Sequence, residues 1–171
     1  MILWEKRKLQ LARSIQANRG RAFEDLIEMA FERTPGAKMF RQANLWVPLR
    51  NGKGGAFPKR GAPIDFLGVI DGVPVAVECK ENQSKRISLG PNRFPLKEVN
   101  ALKEFEEAGG KSFVFVAFWQ ENIIAIYNFE LFYKYWNSNK KSITSQDADC
   151  VLPVGKIMEI KKYLQSIITA P

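Results

Sequence analysis

Asp71-Gly72 divides two largely apolar runs, residues 64–70 and 73–79, and no other feature of the chain restricts its folding as tightly. Asp-Gly accepts positive φ at both central positions of a type I′ turn, the turn whose twist suits a two-residue hairpin. The runs are therefore expected to pair antiparallel, with Ile70 facing Val73. Carried down the ladder, that register sets Asp65 directly opposite Glu78, with Cβ atoms roughly 4.5–5.5 Å apart on one face. Lys80 lies two residues beyond Glu78 and shares its face by strand alternation. Cys79 points the other way with Val75 and Val77 and reads as a core thiol, not a reactive one. Asp71 itself is turn chemistry.

Two carboxylates placed opposite each other destabilise a sheet. A divalent cation between them relieves the repulsion, and an all-oxygen donor set suits Mg²⁺. Two bland readings stand beside this one: Lys80 neutralises the pair in a small ion cluster, or a register slip separates the acids. On the metal reading, the cation polarises a phosphodiester oxygen and acidifies a bound water. Lys80 then orients that water and balances charge in the transition state. Glu24, from the first helix, is the candidate to complete the metal shell directly or through water. Asp25 and Glu28 read as solvated helix carboxylates.

Composition narrows the chemistry further. The 171 residues include two cysteines, Cys79 and Cys150, and no histidine. Zinc sites of the usual Cys/His type, disulfide frameworks and histidine general bases are therefore excluded. A net charge of +8 favours a polyanionic partner. The N-terminal "MILWEKRKLQ" turns charged after four residues, and no apolar run approaches a membrane span of about 20 residues. A soluble protein of the cytoplasm is expected, nucleoid-associated and with no membrane partner, in a host or virus-infected cell.

Residues 4–34 read as helical, with a break expected at Gly20 and an apolar stripe of Phe23, Leu26, Ile27, Ala30 and Phe31. Pro35-Gly36 ends that helix. An extended segment follows, and then "RNGKGGAFPKRGAP", whose glycines, prolines and cations predict a flexible basic loop over residues 50–62. Arg50, Lys53, Lys59 and Arg60 in it are candidates for phosphate contact. After the hairpin, "RFPLKEVNALKEFEEAGG" predicts a helix with Leu96, Val99, Leu102 and Phe105 on its apolar stripe. "KSFVFVAFW" and "NIIAIYNF" predict two strands, "ELFYKYW" a short helix and "GKIMEIKKYLQSII" a terminal one. The expected fold is α/β: one domain, residues 1–171, with a mixed central sheet flanked by helices and a protruding basic loop.

"PIDF" with "VECK" resembles the PD-(D/E)XK nuclease signature, with Asp65, Glu78 and Lys80 as its motif residues. "NRGRAFEDLIE", the basic loop, "IDFLGVIDGVPVAVECKE", "RFPL" and "FYKYWNSNKKSI" together resemble the RecU-type Holliday junction resolvases, in that order and over most of the chain. The archaeal-type junction resolvases share the helix glutamate and the catalytic strands. The resemblance implies a restriction-endonuclease-like fold and a homodimer that resolves four-way DNA junctions by paired symmetric nicks. It implies Glu24, Asp65, Glu78 and Lys80 as the catalytic set. Mg²⁺, with Mn²⁺ as a substitute, would sit on Asp65, Glu78, the backbone carbonyl of Cys79 and Glu24. Arg19, Arg21, Lys85, Arg86 and Arg93 would join the loop cations on DNA. Other readings are a restriction- or repair-type endonuclease, or a non-catalytic DNA-binding module on the same scaffold. The chain departs from the family in two places: its loop is shorter and less aromatic, and "KEVNALKEF" replaces a helix that usually carries His and Gln.

Overall fold

Helix α1 occupies residues 19–32 of the computed structural model, which describes residues 19–43, 45–48, 56–59 and 61–169. Its apolar stripe is buried as expected: Phe23, Ile27, Ala30 and Phe31 all lie in the core, with Leu26 packed against it. Gly20 lies in the first turn of the described helix, and the residues before 19, where a break was expected, lie outside the described residues. An isolated glycine costs a helix about 1 kcal/mol, less than the anchoring of Phe23 and Ile27 returns. The chain leaves α1 through Thr34, whose hydroxyl donates to the Ala30 carbonyl at 2.7 Å.

Strand β1 (Ala37–Arg41) follows, and then the ribbon of β2 (Leu45–Pro48) and β3 (Ala56–Lys59), an antiparallel pair joined to no strand of the main sheet. Here the expected flexible loop is corrected. Residues 56–59 form a strand paired to 45–48, and Pro58 is accommodated because a two-stranded ribbon has only edge strands. Arg50, Lys53 and Arg60 lie outside the described residues.

Strands β4 (Phe66–Ile70) and β5 (Val73–Asn82) form the expected hairpin, with Ile70 opposite Val73 and Phe66 opposite Val77. Asp71 and Gly72 take φ of 49° and 84°, the double left-handed turn that Asp-Gly favours. Strand β6 (Arg86–Ser88) precedes helix α2 (Leu96–Glu107), and β7 (Lys111–Phe118) returns parallel to β5. Strand β8 (Ile123–Asn128), helix α3 (Phe129–Trp136), β9 (Ser142–Thr144), β10 (Cys150–Pro153) and helix α4 (Ile160–Ile168) complete the order. The main sheet runs β1-β4-β5-β7-β8-β10, with β5 and β7 parallel and every other neighbouring pair antiparallel. Close pairing of β1 on β4 requires Gly68, where a Cβ would stand 2.0 Å from the Lys38 carbonyl oxygen.

Alternation along β5 and β7 divides the core in two. Val75, Val77, Cys79, Phe113 and Phe115 face α1 and α4; Ala76, Val114 and Val116 face α2 and α3. Three further expectations are corrected. Leu96 is 57% exposed, so α2 buries only Val99 and Leu102 fully. The polar connection after β5 contains β6, which pairs with β9. The terminal amphipathic segment begins as a 3-10 turn, Val154–Glu159, before α4. Among the described residues, no helix is long and apolar enough to cross a membrane.

Candidate active site

Strand β5 carries Glu78 and Lys80 onto the α2 face, and the hairpin register extends one pair beyond Phe66–Val77 to bring Asp65 beside them. The regular ladder stops just short of Asp65, and this ending shapes the site. The Cys79 N–H, left without a β4 carbonyl, donates instead to Asp65 Oδ2 at 2.8 Å. A strand residue points its N–H and C=O to the same edge, so the Cys79 carbonyl faces that opening too. The backbone carbonyl of Asp65 accepts from Gln42 N–H at 2.7 Å, tying the residue to the end of β1.

Glu78 is buried and Asp65 half-buried, and the cost appears in their titration. Burial pushes the Asp65 carboxyl up to about 6, against the stabilising Cys79 N–H, and the Glu24 charge adds to the rise. Glu78, 4% exposed, is pushed well above the carboxylate range by burial first and by Asp65 second. Burial alone would pull the Lys80 ammonium down; Glu78 and Glu98 outweigh it and hold the proton firmly. Cys79 is a buried core thiol, pushed up by burial, as the strand alternation requires.

The Lys80 Nζ lies 2.6 Å from Glu78 Oε1 and 2.8 Å from Glu98 Oε2. Glu98, from the first turn of α2, is a site residue that sequence reasoning passed over. Its signal was present: it stands four residues before buried Leu102 and next to buried Val99, so helix geometry turns it toward the sheet.

Glu24 is brought to the same end of the sheet, near enough to raise the Asp65 pKa. Its carboxylate, however, is held by Arg41 of β1, whose Nε donates to Glu24 Oε2 at 3.0 Å. Asp25 and Glu28, expected to be solvated, share the same guanidinium. A single arginine thus neutralises part of an acidic helix face.

The expected DNA contacts divide into two groups. Arg21, Lys85 and Arg86 are exposed. Arg19 instead pairs with buried Glu81 at 3.8 Å, and Arg93 Nη2 donates to the Glu81 backbone carbonyl. Lys59 lies in β3.

Among the described residues, no three Asp, Glu or Cys side chains converge into a metal cage. Mg²⁺ does not require one; it keeps several waters and is commonly held by one or two carboxylates. A buried and a half-buried carboxylate that repel each other, with a backbone carbonyl at the same opening, fit such an ion.

Among solved structures, the chain is similar to the 1.6 Å structure of Archaeoglobus fulgidus Hjc, a Holliday junction resolvase from an archaeal hyperthermophile. The TM-score is 0.50 at 14% identity, with 82% of this chain and 98% of that chain covered. The likeness identifies the architecture: a mixed sheet flanked by helices, of the restriction-endonuclease-like kind. No curated protein sequence matches. The sequence profile of the family described as RecU, recombination protein U, matches residues 18–164, and over that span of strands, helices and buried acids the chain belongs to the RecU family.

Proposed function

We propose that this protein is a metal-dependent endonuclease that recognises four-way DNA junctions and hydrolyses phosphodiesters in two opposed strands. The observation that carries the reading is the pair Asp65 and Glu78. A buried carboxylate facing a half-buried one raises the energy of the folded chain unless something positive comes between them, and Lys80 alone is shared out to Glu98. Membership of the RecU family supports the assignment to recombination, and the similar archaeal structure is that of a Holliday junction resolvase.

Asp65, Glu78 and the Cys79 carbonyl would hold Mg²⁺, with Mn²⁺ able to substitute, and Glu24 would reach it directly or through water. When bound, such an ion supplies a polarised phosphoryl oxygen and an acidified water. The chain's own residues do the rest. The Cys79 N–H keeps one Asp65 oxygen oriented, so the other is directed to the opening. Lys80, one turn of strand alternation from Glu78, presents an ammonium that neutralises charge building on the phosphate. Exposed Arg21, Lys85 and Arg86 would hold the DNA backbone, and the β2–β3 ribbon, whose β3 carries Lys59, would enter the branch point. Opposed cuts on a two-fold junction call for a two-fold enzyme, so the active form is assigned as a homodimer with one site per subunit.

Synthetic four-way junctions and linear duplex, each with Mg²⁺, Ca²⁺ or EDTA, test the reading. Paired nicks confined to junctions and to Mg²⁺ are the expected result. Equal cutting of linear duplex would remove the structure selectivity. Binding without cutting under every condition would reduce the protein to a DNA-binding module, and full activity of Asp65→Ala would sink the site.

A further inference from the structure

Lys80 has two carboxylate partners, and only one of them, Glu78, is a candidate metal ligand. The other, Glu98, comes from a separate element, and its place is built rather than incidental. Pro95 opens α2, buried Phe94 precedes it, and Val99 and Leu102 anchor the first turns against the sheet. The Glu98 carboxylate is thereby set 2.8 Å from Lys80 Nζ, while the Phe94 ring lies 5.9 Å from the same ammonium. With 16% of its side chain exposed, Lys80 has little solvent to replace a lost partner.

Resting on the hydrolase reading above, we propose that Glu98 is a positioning residue that keeps Lys80 at the scissile phosphate when Glu78 turns its charge toward a cation. One oxygen of Glu78 lies 2.6 Å from Lys80 Nζ. A cation drawn to Asp65 and Glu78 competes for that charge and repels the ammonium. Without a second anion, Lys80 would be driven outward at the moment it is needed. Glu98 opposes that drive from α2 and never has to touch substrate or metal. A plain alternative exists, since an acid in a first helical turn stabilises the helix dipole with no other role. The two accounts differ in what happens to Lys80.

Glu98→Gln separates them, with Glu98→Asp as the conservative partner and Lys80→Met as the background. The first measurement needs neither metal nor DNA: labelling of lysines by an amine-reactive ester in EDTA, read site by site by mass spectrometry, with Lys103 as internal reference. Lys80 is expected to label faster in Glu98→Gln than in the parent, and Glu98→Asp to fall between them. Unchanged Lys80 labelling in a folded Glu98→Gln protein overturns the proposal whatever the protein cuts. The second measurement is single-turnover cleavage of a bound four-way junction in Mg²⁺. Glu98→Gln should slow cleavage about tenfold to a hundredfold with junction affinity within about twofold, and Glu98→Asp should recover part of the rate. Added to Lys80→Met, Glu98→Gln should cost nothing more, because residues acting as one unit are not additive. A full further loss in that background, or a parental rate in Glu98→Gln alone, overturns the role. If the parent protein cuts no junction while Lys80 labelling still rises, the nuclease reading falls and the hold of Glu98 on Lys80 stands.

Discussion

Glu78 and Glu81 sit three residues apart on β5, both buried, on opposite faces of the same strand. Their surroundings could hardly differ more. Glu81 meets donors, Trp119 Nε1–H at 2.9 Å and Gln83 Nε2–H at 3.4 Å, and the Arg19 cation at 3.8 Å. It also joins a brace, since Trp119 packs edge-on against Phe23 of α1. Glu78 meets another acid, Asp65, and shares its one ammonium with Glu98. A buried carboxylate with only donors around it is a structural part; one that faces a second carboxylate stores a repulsion that a cation can release. The difference is read from partners, not from burial, which is nearly equal.

Glu78→Gln should break the comparison most visibly. Cleavage of a bound junction is expected to fall about 10³-fold or more, while the melting temperature in EDTA rises, because the repulsion with Asp65 is gone. A lower melting temperature would mean that Lys80 already neutralises the pair. Glu81→Gln should do the reverse. It weakens a charge-assisted network worth about 2 kcal/mol, lowering thermal stability, and leaves single-turnover cleavage by the folded protein within about twofold. A large fall in that rate would move Glu81 into the site.

Sequence alone reached the Asp65–Glu78–Lys80 face because each step rests on short-range physics. Asp-Gly specifies a two-residue turn, the turn specifies the register, and strand alternation assigns the faces. Glu24 was reachable only as a candidate: α1 was legible from its stripe, but the capture of Glu24 by Arg41 depends on how β1 docks. Glu98 needed the docking of α2, which no local pattern specifies, and the Gly- and Lys-rich composition of residues 50–62 hid strand β3. Strands β6 and β9 escaped for a related reason. Each spans three residues, and they pair across more than fifty residues of intervening chain, so their stability comes from tertiary contact rather than propensity.

Titration sharpens the contrast without any mutation of Glu78. Asp65 ionises at about 6 in the folded chain and near 3.8 in its ordinary state. Between those values the folded protein binds more protons than the unfolded one, so stability falls as pH rises from about 4 to about 6 and stays at the lower level above. The Glu78 shift acts in the same direction. Melts in EDTA should show this decline, about 3 kcal/mol from Asp65. Asp65→Asn should flatten that share, and Mg²⁺ should restore stability above pH 6. A melting temperature that climbs through the same interval in EDTA would contradict the raised carboxyls.

The smallest effect separates the cations by the same rule as the acids. Arg19 and Arg93 both end on Glu81, one at its carboxylate and one at its carbonyl, whereas Lys85 and Arg86 lie exposed around β6. A cation already paired inside the protein releases few counterions from DNA; an exposed one that meets a phosphate releases about one. Lys85→Ala and Arg86→Ala should each weaken junction binding similarly across sequences and reduce the slope of log affinity against log salt by about 1. Arg19→Ala and Arg93→Ala should leave that slope nearly unchanged and lower the melting temperature instead, because they unpin Glu81. Filter binding over a salt series, paired with thermal melts of the same four variants, makes the division visible. If Arg19→Ala changes the slope as much as Arg86→Ala does, the ion pair with Glu81 opens on DNA, and the donor-rich side of β5 takes part in binding as well as in folding.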